Sequence, residues 1–168
     1  ERICVVLQEV FLFSGTIAEN IDLSSGLSEA EIAQAVDYAA AGSFIARQPD
    51  GLATQTAERG ATFSAGERQL LSFARAIAHD PAILVLDEAT ANIDSNTEQL
   101  IQQSIAALSR GRTTVFIAHR LSTIRSCDRI YVIRDGRIAE QGSHDELMRA
   151  GGLYADWTGR RAADASPA

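Results

Sequence analysis

Two adjacent carboxylates, Asp87 and Glu88, close the apolar run Ile83-Leu84-Val85-Leu86. A short run of branched apolar residues introduced by Pro81 reads as a strand buried on both faces of a parallel α/β sheet. Ligands of such sheets sit outside the carboxyl ends of the strands, where this pair stands. Successive side chains on a strand point to opposite sides, so the two acids have different duties. One can hold Mg²⁺ through its waters. The other can take a proton from an attacking water. Two solvated strand-end acids fit the same spacing, and the neighbouring stretches have to decide.

The next candidate is a helix start. Ser64 and Glu67 have the spacing of a capping box, and Leu70, Phe73, Ala74 and Ile77 fall on one helical face. Ala65 and Gly66 leave the backbone open at the helix mouth, where free N–H groups and the positive end of the dipole favour an anion. An ordinary capped helix uses the same atoms. A third candidate is His119, which ends the apolar strand over 113–118. A neutral imidazole there can donate to a phosphoryl oxygen and stabilise charge that develops in transfer; a structural strand-end histidine is the other reading. A fourth is Gln8, at the end of the strand read in Ile3-Cys4-Val5-Val6-Leu7.

Taken together, these residues resemble the nucleotide-binding domain of exporter-type ATP-binding cassette (ABC) transporters. Ser64-Ala65-Gly66-Glu67-Arg68-Gln69 is similar to the ABC signature, and the strand ending Asp87-Glu88-Ala89-Thr90 to Walker B. Asn92-Ile93-Asp94 resembles the D-loop, and Ala118-His119-Arg120-Leu121-Ser122-Thr123 the H-loop. The stretch from Gln8 to Ile21, with Phe11-Leu12-Phe13-Ser14-Gly15-Thr16-Ile17, resembles the exporter Q-loop. The resemblance covers essentially the whole chain. Its departures lie in the signature: Phe63 stands where leucine is commonest, and Ala65 and Glu67 replace the commonest Gly and Gln.

The resemblance implies a P-loop NTPase-like (RecA-like) parallel sheet with an inserted helical subdomain, incomplete at its N-terminus. Residues 1–8 and 80–168 would form part of the core, and 9–79 the Q-loop, helical subdomain and signature helix. Two such domains would sandwich two Mg-ATP molecules head to tail. Ser64, Ala65, Gly66 and Glu67 would face the ATP held by the partner domain. Asp87, with Gln8, would order Mg²⁺; Glu88 would polarise the attacking water, His119 would clamp the γ-phosphate, and Asp94 would communicate across the dimer. Phe11, Phe13 and Glu58 would touch the transmembrane domains, which places the ATPase at the cytoplasmic face of the plasma membrane. For Phe11, Leu12 and Phe13 core packing is the other reading, and for Glu58 a solvated loop.

No Gly-x-x-x-x-Gly-Lys-Ser/Thr pattern occurs in the 168 residues. That pattern supplies the phosphate cradle, the lysine and the Mg²⁺ hydroxyl. The resulting expectation is a chain inactive alone that belongs to an active ATPase when intact. A non-enzymatic interaction fragment is an alternative. A soluble ABC-class ATPase acting on DNA or ribosomes is another, but it would call for coiled-coil insertions or basic patches, which the sequence does not carry.

The bounds agree with this. The length suits one domain with a real core. A net charge of −7 argues against a nucleic-acid surface. Cys4 and Cys127 lack metal-ligand spacing and read as reduced buried thiols. No apolar run approaches the ~20 residues that span a bilayer, and no signal peptide is expected. Capping boxes at Ser28/Glu31, Ser95/Glu98 and Ser143/Glu146 predict further helices, with Gly42 as the stop of the first. Asp135-Gly136 predicts a hairpin turn. His79 and His144 are read as exposed near helix ends, Tyr154 and Trp157 as packing residues, and 160–168 as a disordered tail.

Overall fold

The computed structural model describes residues 3–57, 60, 62–87, 95–118 and 121–164. Two compact units divide the chain, Glu1–Ile117 and Ala118–Ala168.

The first unit is built on a three-stranded parallel sheet in the order β1 (Ile3–Val6), β4 (Ile83–Asp87), β5 (Thr113–Ile117). Cys4 pairs with Leu84 and Leu84 with Thr114, so the three strands stand in step. Between β4 and β5 runs α5 (Ser95–Ser109), which includes Ser95, the residue read as its cap. Between β1 and β4 lie β2 (Gly15–Thr16), α1 (Ile17–Asp22), α2 (Glu29–Tyr38), α3 (Gly42–Ile45), β3 (Gln55–Thr56) and α4 (Ala65–Ala78). β2 and β3 pair antiparallel.

Both crossovers step across the sheet in one direction. Right-handed connections therefore lay their helices on one face. Val6, Leu84 and Leu86 point to that face and join Leu70, Leu71, Phe73, Ile101 and Leu108 in a single core. Within this chain the sheet is buried on one face. Ile3, Val5, Leu7, Val115 and Ile117 alternate with the core residues and are exposed, the packed helices of this unit lying on the other side.

Capping decides where the helices begin. Thr16/Glu19, Ser28/Glu31 and Ser64/Glu67 each form complete capping boxes. The end of α2 differs from the sequence reading. The left-handed turn falls at Ala40, φ 52°, and Gly42 opens α3 instead of stopping α2.

The second unit begins with α6 (Leu121–Arg125). A hairpin of β6 (Ile130–Arg134) and β7 (Arg137–Gly142) follows. Asp135 and Gly136 turn it with φ 50° and 72°, the double positive φ of the favoured tight turn. α7 (His144–Ala150) is capped by the Ser143/Glu146 box and ends at Gly151 in the left-handed region. α8 (Leu153–Asp164) extends the helix into the stretch read as a tail. Alanine and arginine there are good helix formers.

Candidate functional site

The carboxyl edge of the sheet is where the sequence places the chemistry. Val6 pairs with Leu86 at the end of β1, so the next step along the strands sets Leu7 beside Asp87. Gln8 follows one residue on, exposed at a bend. Asp87 is the last residue of β4, half-buried, and pairs with Ile117 of β5. Asp87 at the end of β4 and Gln8, two residues past the end of the neighbouring β1, thus come to one edge of the sheet. Glu88, Asp94, His119 and Glu58 lie outside the described residues.

The loop beyond Gln8 is held by a network that sequence reading missed. Its centre is Asn20 of α1, which is buried. The Asn20 amide donates to the carbonyl oxygens of Phe13 (2.9 Å) and Thr16 (3.0 Å) and to the Thr56 hydroxyl (3.1 Å). Its own oxygen accepts the Phe13 N–H at 2.8 Å. The Thr56 hydroxyl lies 2.6 Å from the Phe13 carbonyl oxygen. Arg75 of α4 completes the set. Its Nε donates to the Asn20 carbonyl at 2.8 Å and its Nη1 to that of Phe11 at 3.3 Å. Burial lowers the Arg75 pKa from its ordinary value, with nearby Cys4 acting in the other direction.

This network separates the three apolar residues of the loop. Leu12 is fully buried, whereas Phe11 and Phe13 are 48% and 53% exposed. The two rings meet edge to face at 5.1 Å, and the Arg75 guanidinium sits 5.9 Å over the Phe13 ring. Gly60 is needed beneath Leu12: its φ is +64°, and a Cβ there would stand 2.7 Å from Leu12 Cδ1. Core packing is therefore right for Leu12, and an outward-facing surface for its neighbours.

At the other end of α4 the helix mouth is exposed at Ser64 and Ala65, with Gly66 buried behind them. Ser64 Oγ accepts the Glu67 N–H at 3.2 Å, and Glu67 Oε2 accepts the Ser64 N–H at 2.9 Å. The other Glu67 oxygen lies 3.6 Å from Arg47 Nη2. The N–H groups of Ala65 and Gly66 come before any the helix can bond internally. Phe63 is buried with its ring edge to face on Phe44, centroids 6.0 Å apart. That aromatic seat explains a phenylalanine just before the helix. The mouth and Arg75 lie on one rod, about 14 Å apart at 1.5 Å per residue.

The donor set can be tested against Mg²⁺. Among the described residues no three His, Cys, Asp or Glu side chains converge on a metal position. Among the described residues, the half-buried Asp87 carboxylate alone cannot cage a cation. It does suit Mg²⁺, which keeps several waters and takes only one or two carboxylates.

The parallel sheet with helices packed on it is consistent with a P-loop NTPase-like α/β domain, and the likeness to a solved ABC exporter supports that class. Within that class the comparisons are specific. The family model described as ABC transporter matches residues 1–91. An ABC transporter ATP-binding protein of Bacillus subtilis (strain 168), YknV, is 53% identical over 155 residues, 92% of this chain and 26% of the relative. The ATP-dependent lipid A-core flippase of Burkholderia orbicola (strain AU 1054) is 47% identical over 154 residues, again 92% and 26%. A solved bacterial Atm1-family ABC exporter with ATP bound superposes with a TM-score of 0.89 at 45% identity, covering 99% of this chain and 29% of that one. The chain belongs to the ABC transporter family. It spans about a quarter of the length of the curated relatives it matches.

Proposed function

We propose that the whole protein hydrolyses Mg-ATP to drive export of a substrate across a membrane, and that this chain supplies much of its ATPase site. One observation carries the reading. α4 presents the Ser64–Glu67 mouth at one end and, through Arg75, ties down the loop that links Gln8 to Phe11 and Phe13. Nucleotide contact and an outward aromatic surface are thus joined by one helix.

In this reading Ser64, Ala65, Gly66 and Glu67 meet the phosphates of an ATP held by a second nucleotide-binding domain, head to tail. Asp87 and Gln8 hold the waters of Mg²⁺, which when bound offsets phosphate charge. Glu88 takes a proton from the attacking water, and His119 donates to the γ-phosphate. Asp94 reports across the dimer. Phe11, Phe13 and Glu58 dock on the transmembrane domains, which sets the chain at the cytoplasmic face of the plasma membrane. Residues 9–79 then act as the coupling and helical part, and 1–8 with 80–168 as part of the catalytic core.

The test uses the full-length protein in lipid vesicles. ATP turnover is expected to stop when Mg²⁺ is chelated and to return when it is restored. Asp87→Asn is expected to raise the Mg²⁺ concentration needed for half-maximal turnover by about tenfold or more, because a charged oxygen ligand is lost. Turnover indifferent to Mg²⁺, or a normal Mg²⁺ requirement in Asp87→Asn, contradicts the assignment.

A further inference from the structure

His144 has both ring nitrogens engaged. Nδ1 lies 2.8 Å from the Tyr154 hydroxyl oxygen, and Nε2 meets the Nε–H of Arg125 at 3.1 Å. The Tyr154 ring stands edge to face against the imidazole, centroids 5.7 Å apart. The histidine is half-buried, contrary to its reading as an exposed first-turn residue. Its partners are 19 and 10 residues away, so polar neighbours in the sequence conceal them.

Chemistry fixes the proton positions. An arginine only donates and stays charged, so Nε2 carries no hydrogen in this contact. The ring hydrogen is then on Nδ1 and donates to the phenol oxygen. Burial raises the Tyr154 pKa above its ordinary value, against the pull of Arg125, so the phenol stays neutral. Glu140 of β7 accepts the N–H groups of Leu153 and Tyr154. Asp145 and Glu146 are exposed on α7 itself, and Glu146 is engaged in the Ser143 cap.

We propose that His144 is a positioning residue that works only in its neutral form. Neutral, it bolts α6 to α7 and α8 through Arg125 and Tyr154. A second proton, taken on Nε2, sets imidazolium against guanidinium and releases α6. The inference rests on the function proposed above, because α6 begins two residues after His119 in the chain. A bolt on α6 therefore bears on the segment that follows the residue assigned to the γ-phosphate.

The experiment uses the full-length protein in lipid vesicles, with ATP turnover followed from about pH 8 to about pH 5.5. Amide exchange of peptides covering 121–125 is read in parallel. His144→Gln keeps one acceptor and one donor and takes no proton. It is expected to stay within about twofold of wild type at high pH and to outperform it by about fivefold at low pH. His144→Phe keeps the ring packing without either bond. It is expected to lower kcat severalfold with little change in KM for ATP, and to raise exchange in α6. A His144→Gln profile parallel to wild type at every pH overturns the proposal, as does unaltered α6 exchange in His144→Phe. Raised α6 exchange in His144→Phe supports the bolt even if Glu88→Gln leaves turnover intact, the result that would instead remove the ATPase assignment.

Discussion

The two faces of the β1-β4-β5 sheet carry equally apolar side chains and have opposite surroundings. On one, Val6, Leu84 and Leu86 disappear under α4 and α5. On the other, Val5, Val115 and Ile117 remain about half exposed. Composition does not separate them. The direction of the crossovers does, since both connections advance the same way across the sheet and right-handedness sends their helices to one side. A similar division occurs within three residues of the loop after β1. Leu12 enters the core while Phe11 and Phe13 face outward, and hydrogen bonds from Asn20, Thr56 and Arg75 decide which way each points. In both places backbone geometry, and not hydrophobicity, separates the buried side chains of this chain from the exposed ones.

The comparison can be broken by substitution. The largest effect is expected on the covered face. Leu84→Ala is expected to lower unfolding stability by about 2–5 kcal/mol, the range for truncating a fully buried leucine. Val115→Thr, on the open face, is expected to stay within about 0.5 kcal/mol, as for exposed sites generally. Comparable losses at the two sites in denaturant melts would erase the distinction between the faces.

Asn20→Ala comes next. It strips the loop of four close polar contacts and leaves buried groups without partners, at an expected cost of about 1–3 kcal/mol. Faster amide exchange at Phe13 should accompany the loss. Full retention of Phe13 protection would mean that Thr56 and Arg75 hold the loop unaided.

A small effect on stability is expected of Phe11→Ser with Phe13→Ser, within about 1 kcal/mol because both rings are about half exposed. The functional effect should be large. The full-length double variant is expected to bind ATP normally and to lose ATP-driven transport. Normal transport in that variant would remove the aromatic pair from coupling.

Much of this was legible in the sequence, for local reasons. The run Ile83–Leu86 with its flanking proline reads as a parallel strand, the Ser-x-x-Glu boxes mark helix starts, and Asp135-Gly136 marks the hairpin turn. Each signal lies within a few residues. What stayed hidden depends on long-range contact. Arg75 reaches Phe11 across 64 residues, and Thr56 reaches Phe13 across 43. Nothing near Asn20 in the chain shows that its amide will be the centre of that network. The stop of α2 was misplaced because the left-handed residue is Ala40, where glycine was expected. The open face of the sheet followed from strand order, which a single strand's pattern does not contain.

The most direct test of the central claim is Glu88→Gln in the full-length protein, with equilibrium ATP binding and steady-state turnover measured on one preparation. The account predicts retained binding and turnover reduced by about 10²–10⁴-fold, the contribution expected of a general base. Unchanged turnover would contradict it, since the carboxylate assigned to the attacking water would then play no part in the reaction.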